Sequence, residues 1–413
     1  MEFEVDLLVI GGGIQGMALM QELSADYSTM LVGSSLTNSE TMHFHGYFSS
    51  GWNAANPEAA KVYHRAARHW NSLLTEIDSS YRNPTFHVAL PPAAVDGLRG
   101  NWDQAKIRYR EEPFPRPFDL SRLPTHQTVS FPEDVIFNVK PVIDHLHSSL
   151  PNTAIEGNVE GFQVTDGKIM KVSIVTADGD SIEISPQFVL SSCGAGNASI
   201  LNRLDVSDSE VDRCQVVRPM HMVLARGKSI PQISGFLMNL VVMAHPLGDD
   251  ETLWILTYNP ESPQFETGSF EIKHDPPIEP DIVCTTLSRL AAVLPDFENA
   301  SEEWQWDVYV GWKTDAPGDD TNALLNLEHA QPFDVRSFGL KNFLAVWPNH
   351  WCLATPAAES AATVIRNNVD PIHPPIRWAE PLTTENNVSM KWVGPDRQWR
   401  SWSEFAHTYG FRP

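Results

Sequence analysis

Positive charge is scarce in this chain, and unevenly so. Across 413 residues, 29 Lys and Arg stand against 52 Asp and Glu, giving a formal net charge of -23, and the first sixty residues hold neither Lys nor Arg. A surface of that sign repels phosphate backbones and anionic headgroups, so nucleic acid is not an expected partner. Secretory and mitochondrial leaders depend on basic residues, and their lack makes the cytoplasm the expected compartment. Cysteine is also sparse. Cys193, Cys214, Cys284 and Cys352 lie far apart with no C-x-x-C pair, which argues against a zinc knuckle or redox dithiol and for reduced, mostly buried thiols. His145 and His147 are two apart on an expected helix and face different sides, so no metal site is expected. No apolar run approaches the ~20 residues that a membrane span requires.

What remains is an ordinary globular composition, 42% hydrophobic and 10% aromatic, long enough for about two domains. Val5 to Ile10 is a short apolar run of the buried-strand kind. Gly11-Gly12-Gly13-Ile14-Gln15-Gly16 follows at once, then the helix formers Met17 to Leu23, then a second short strand, Thr29 to Val32. Gly11, Gly13 and Gly16 thus fit G-x-G-x-x-G inside a βαβ opening, the context in which that motif binds a dinucleotide pyrophosphate at a helix N-terminus. One part of the fingerprint is missing. The second strand should end in an acidic residue for the ribose hydroxyls, and here it runs into Gly33, Ser34 and Ser35. The serine hydroxyls are the candidates for that role, and no Lys or Arg lies nearby to meet the 2′-phosphate of NADP.

Asn56 as N-cap, Pro57 and Glu58 open a helix expected to run to Ile77, with one apolar stripe and Lys61, Arg65, Arg68 and His69 on the solvent side. The following fifty or so residues, rich in proline and charge, are expected as loops with short strands. Phe162–Val164, Lys168–Thr176 and Ser181–Ile184 read as a meander with Asp-Gly turns between, leading into an apolar strand, Phe188 to Leu190, that ends in small residues. A second β-rich block is expected from about Gln215 to Trp312, with strands Leu237–Ala244 and Leu253–Tyr258 and one helix near Asp281–Leu294. Asn342–Trp347 reads as a strand and Pro356–Arg366 as a helix opened by Thr355 and Pro356.

Several of these segments resemble the flavoprotein family of D-amino acid oxidase, sarcosine oxidase and glycerol-3-phosphate dehydrogenase. Val189 to Gly196 is similar to the family's late strand and Gly-Ala-Gly-like turn near FAD, and Arg218 to Leu224 to the strand opening its substrate domain. Val310-Gly311-Trp312-Lys313-Thr314 resembles the G-x-R-P strand beside the substrate, with Lys313 where Arg is usual. Trp347 to Ile365 is similar to the closing strand, loop and helix whose N-terminus faces the flavin pyrimidine ring, where a helix start stabilises the charge of the reduced ring. The loop Pro348-Asn349-His350-Trp351 is bulkier than the family's glycines.

The resemblance implies an α/β fold: a Rossmann-like FAD-binding domain from residues 1–85, 135–214 and 335–370, a β-rich substrate domain from 86–134 and 215–334, and a tail, 371–413, packed on the body. It implies FAD held by Gly11, Gly13, Ile14, Gly16, Ser34, Ser35, His45, Gly46, Val159, Gly194, Gly196, Asn349 and Trp351. Some relatives bond a flavin covalently to a histidine in the segment here written His43-Phe44-His45; the cysteine of the sarcosine oxidases would fall near Gly311, so that linkage is excluded and a non-covalent flavin is expected. Lys313 would hold a substrate anion and His350 would act as general base. The implied function is hydride transfer from a small-molecule substrate to flavin N5, followed by transfer to an electron acceptor, oxygen or another. The favoured bond is C–N of an amine or amino-acid-like compound. The alternatives are C–O oxidation of a hydroxy acid or alcohol, an NAD(P)-dependent dehydrogenase, and a non-catalytic flavin-binding protein.

Overall fold

Two sheets divide the chain in the computed structural model, which describes residues 2–34, 40–77, 82–121, 123, 125–150, 154–248, 250–259, 276–315, 338–346, 350–375, 392, 394 and 397–412. In chain order the strands are β1 (Glu2–Ile10), β2 (Thr29–Gly33), β3 (Tyr47–Phe48), β4 (Arg82–Leu90), β5 (Arg110–Glu111), β6 (Gln127–Phe137), β7 (Ala154–Thr165), β8 (Lys168–Thr176), β9 (Ser181–Ser191), β10 (Val216–Gly227), β11 (Gly235–Leu237), β12 (Leu240–Gly248), β13 (Glu251–Tyr258), β14 (Gln305–Asp315) and β15 (Phe343–Ala345). The helices are α1 (Ile14–Leu23), α2 (Pro57–Glu76), α3 (Pro92–Ala105), α4 (Val139–Ser149), α5 (Asn197–Asn202), α6 (Asp208–Val211), α7 (Pro280–Val293), α8 (Phe297–Glu302), α9 (Ala354–Asn368) and α10 (Trp402–Tyr409).

The first sheet pairs β7, β2, β1, β9 and β15 in parallel, in that spatial order, with β8 antiparallel to both β7 and β9. Its central strand is apolar on both faces because both are covered: Leu7 and Val9 meet α1 and α9, while Leu8 and Ile10 join a second core with the meander and α5. The strand read as beginning at Phe188 is the continuation of Ser181–Ile184. At Pro186, which has no N–H to donate, β9 has left β8 behind and pairs with β1 instead.

The second sheet runs β14-β10-β13-β12-β11-β4-β6-β3, with β5 beside β6, and β4 to β11 is its one parallel pairing. Its outer face packs on α7, α8 and α10 around Trp254, Trp304, Trp306 and Trp402. The expected strand Leu237–Ala244 is two strands. Met238 and Asn239 both take positive φ, 52° and 61°, the tight hairpin geometry that matches strand twist. The region expected as loops with short strands holds a 9-residue strand and the 14-residue helix α3. Val95, Leu98, Trp102 and Ala105 form its buried stripe, but Gly97 and Gly100 interrupt the helical composition.

Candidate active site

β1 delivers the chain into the glycine turn at the centre of the parallel sheet. Gly11 has φ of +115°, and a Cβ there would stand 2.5 Å from the Ser192 carbonyl oxygen. A Cβ on Gly16 would stand 1.8 Å from the Gly11 carbonyl oxygen. Both positions therefore require glycine, one for its dihedral and one for close packing of helix on loop. Gly13 is the N-cap of α1 and offers no side chain. The N–H of Ile14 donates to Thr41 Oγ1 at 3.0 Å. One residue on, Gln15 is 4% exposed, and neither its amide oxygen nor its nitrogen has a hydrogen-bond partner among the described residues.

The second glycine turn abuts the first. Ser192 Oγ donates to the carbonyls of Ile10 and Gly11 at 3.0 and 3.2 Å, and the buried Asn197 Oδ1 accepts from Ser191 Oγ and the Cys193 N–H at 2.6 and 2.9 Å. Gly194 has φ of +55°, and a Cβ there would stand 4.0 Å from Thr314 Oγ1 of β14. Gly196 closes this turn ahead of α5. Ser34 is exposed at the end of β2. Glu156 lies opposite Gly33 in the β2–β7 register, a carboxylate that the linear sequence hides because it comes from a distant strand. Val159 is apart from the glycine turns, buried in the core below the sheet, with its carbonyl accepting from Arg203. Ser35 and Asn349 lie outside the described residues.

His45 and Gly46 reach the same region from between the sheets. The Gly46 carbonyl accepts from the Phe137 N–H at 2.8 Å, and at Gly46, with φ +70°, a Cβ would stand 2.2 Å from the Phe137 carbonyl oxygen. The His45 carbonyl accepts from His245 Nε2 at 2.9 Å. Burial, then the charge of nearby Lys313, lowers the His45 pKa to about 3, and its Nδ1 is sealed with no partner among the described residues. His45 is thus a neutral imidazole near neutral pH. Trp351 packs edge-on against Phe44 at 4.7 Å and against Phe137 at 5.2 Å; its indole N–H is likewise sealed without a partner among the described residues.

Lys313 extends from the end of β14 opposite Arg218 of β10. Its ammonium contacts Asp315 Oδ1, while Arg218 Nε donates to Asp315 Oδ2 at 2.6 Å. Burial would raise the Asp315 pKa, but Lys313 and Arg218 outweigh it and hold the carboxyl at about 2. Two cations therefore share this one carboxylate. Asp315 was within reach of sequence reasoning, since residues two apart on a strand share a face; the Arg218 partner needed the register. Beside His45, Tyr47 donates to the buried Asp134 at 2.6 Å and accepts from Trp52 Nε1 at 2.8 Å. Burial raises Asp134 to about 7.

His350 ends the closing loop, its ring edge-on to Tyr63 of α2 at 5.9 Å. A 3-10 turn, Trp351–Leu353, leads into α9. The helix begins at Ala354, so Pro356 lies within its first turn, where a missing N–H costs nothing. Trp70 Nε1 donates to the Cys352 carbonyl at 3.0 Å and ties this turn to α2.

A model of the family described as FAD dependent oxidoreductase matches residues 6–321. A probable FAD-dependent oxidoreductase of Pseudomonas aeruginosa is 25% identical over 276 residues, 61% of this chain and 67% of that protein. Its crystal structure aligns at a TM-score of 0.60 and 20% identity, covering 92% of this chain and 98% of that one. L-amino acid deaminase from Proteus vulgaris aligns at 0.62 and 16%, covering 91% and 93%. L-proline dehydrogenase from P. horikoshii aligns at 0.63 and 14%, covering 90% and 95%. The described residues suit such a cofactor. Gly13 leaves the N-terminus of α1 without a capping side chain, and Gln15, His45 and Trp351 carry sealed polar atoms with hydrogen-bonding capacity unmet by the described residues.

Proposed function

Because the chain belongs to the FAD dependent oxidoreductase family and is an FAD-dependent oxidoreductase, we propose that it oxidises the C–N bond of a small amino-acid-like substrate bearing a carboxylate. The observation that carries this reading is the pair of cations, Arg218 and Lys313, that neighbouring strands bring together around the buried Asp315. His45, close enough to feel the charge of Lys313, and its neighbour His245 are held neutral, with pKa values lowered to about 3 chiefly by burial. Their neutrality leaves Lys313 and Arg218 to meet an anion in a low-dielectric setting. The likeness of fold to an amino acid deaminase and a proline dehydrogenase supports the same substrate class.

In this reading the parallel sheet with its helices is the FAD-binding domain and the nine-stranded sheet is the substrate domain. Gly11, Gly13, Ile14 and Gly16 hold the pyrophosphate, Ser34 and Ser35 meet the ribose, and Gly194 and Gly196 pack the second turn against it. Gly46 lets the His45 segment approach the ring system and Trp351 packs beside that segment on Phe44, whereas Val159, in a separate core, takes no part. When bound, FAD would supply the two-electron acceptor for the substrate hydride. Lys313 holds the substrate carboxylate, and His350 removes the proton from the substrate ammonium so that a neutral amine is the hydride donor. His45 does not serve as that base, because an imidazole with a pKa of about 3 has little affinity for a proton at neutral pH.

Anaerobic bleaching of the bound flavin tests the reading, using amino acids, the matching amines without the carboxylate, and 2-hydroxy acids. Amino acids should reduce the flavin fastest. Faster reduction by the amines removes the carboxylate from recognition, and faster reduction by the hydroxy acids moves the reaction to a C–O bond.

A further inference from the structure

We propose that the outer face of α2 carries a second ligand site, separate from the flavin centre, that binds a small polyanion bearing two or more phosphate or carboxylate groups. A cavity of about 350 Å3 opens there, lined by Lys61, His64, Arg65, Arg68, His69 and Ala105. That volume falls at the lower end of the range for small-molecule sites, roughly 300–1,000 Å3. Five of its six lining residues are basic types, in a chain whose net charge is -23. Positive charge is thus concentrated on this face against the balance of the whole chain.

The geometry favours an anion with more than one charged group. Lys61, Arg65 and Arg68 fall four and three apart, so successive turns of α2 raise them in one row, with Cβ atoms about 5–6 Å apart. Guanidinium forks meet phosphate or carboxylate oxygens two at a time. The floor is fixed: His64 Nδ1 lies 2.8 Å from the Ala105 carbonyl oxygen and Nε2 lies 3.0 Å from Glu133 Oε2.

The acids facing the row leave a surplus of positive charge. Glu58 takes Lys61 at 2.6 Å, Glu359 of α9 takes Arg65 at 3.3 Å, and Glu133 is shared by His64 and Arg108. Arg68 has no acidic partner among the described residues. The Lys61 and Arg65 pairs are largely exposed, and such pairs are weak enough for a ligand to replace them. A docked acidic protein would meet the same charge, but a flat face would serve it; the concavity and its size select a small molecule.

Isothermal titration of the FAD-loaded protein, whose pyrophosphate loop is already filled, tests this with inorganic pyrophosphate and with citrate. The expected result is saturable one-to-one binding of at least one of them, weakening from low salt to physiological ionic strength. Pyrophosphate alone points to a phosphorylated ligand, and citrate alone to a polycarboxylate. Arg65→Gln/Arg68→Gln should weaken binding about tenfold or more, the loss expected for charge-assisted contacts, with flavin content unchanged. The single Arg68→Gln variant, altering an exposed side chain, should weaken it in the same direction. No saturable binding of either anion, or equal affinity in the double variant, overturns the proposal.

Discussion

Replacing Lys313 by methionine removes one of the two cations on Asp315 while nearly preserving the length of the side chain. Asp315 keeps its 2.6 Å hydrogen bond from Arg218, so no buried carboxylate is left unpaired and the fold should hold. What vanishes is the ammonium itself, one of the two cations gathered at this strand end. Two unit charges 4 Å apart interact by about 4 kcal/mol at an effective dielectric of 20, and part of that is offset by desolvation. Hydrogen bonds to charged groups are worth about 1.5–3 kcal/mol net. The substrate dissociation constant should accordingly rise about 10–150-fold, with the limiting rate of flavin reduction changed much less and flavin content unchanged. Stopped-flow reduction across substrate concentration separates the two quantities. Lys313→Arg should restore most of the affinity. Unchanged affinity in Lys313→Met refutes the assignment of the cluster to the substrate carboxylate.

Gly16→Val should yield protein without flavin, measured as the ratio of flavin to protein absorbance, because even the first added carbon meets the Gly11 carbonyl oxygen at 1.8 Å; full occupancy would show that this turn does not hold the cofactor. His350→Asn should slow flavin reduction by about 10²–10⁴-fold, as loss of a general base does, with flavin content unchanged. An unchanged rate leaves His350 as a packing contact of Tyr63. Acid precipitation should give a colourless pellet and a yellow supernatant, whereas a yellow pellet would place a covalent bond at His43 or His45. Asp134, raised by burial from 3.8 to about 7, binds its proton more tightly folded than unfolded, so its contribution is greatest below about 4 and is lost as pH rises through about 7. Asp134→Asn should therefore improve relative to wild type in melting temperature as pH rises across that window, and a constant difference would show that Asp134 does not titrate there.

Those parts of the fold set by local patterning were legible in the sequence. The glycine turn after β1, the Asn56 cap of α2 and the Asp-Gly turns of the meander each depend on residues a few positions apart, and their side chains state their dihedral or capping role. What was not legible depends on register. Nothing in the run from Leu237 to Ala244 marks the hairpin at Met238 and Asn239, because neither is a glycine and both adopt positive φ within a packed sheet. The helix α3 was hidden by its two glycines. At the site, Lys313 was visible as a departure from a familiar strand, but its meaning changes once Arg218 and Asp315 are beside it. The same holds for Tyr47 and Asp134, whose hydrogen bond joins strands 87 residues apart.

The row of small residues on α9 sets an order of events during synthesis. Ala354, Ala357, Ala358, Ala361 and Ala362 are buried, and the helix packs on α1, whose Glu22 is gripped by Arg366 at 2.9 Å. Tyr27 likewise reaches the Val369 carbonyl at 3.1 Å, across 342 residues. β15 then completes the sheet on the far side of β9. A ribosome translating this chain thus makes the first wall of the nucleotide cleft early and its last wall late. Until α9 clears the exit tunnel, the face of α1 that packs on it lacks that cover, so the nascent N-terminal unit exposes apolar surface that the finished protein buries.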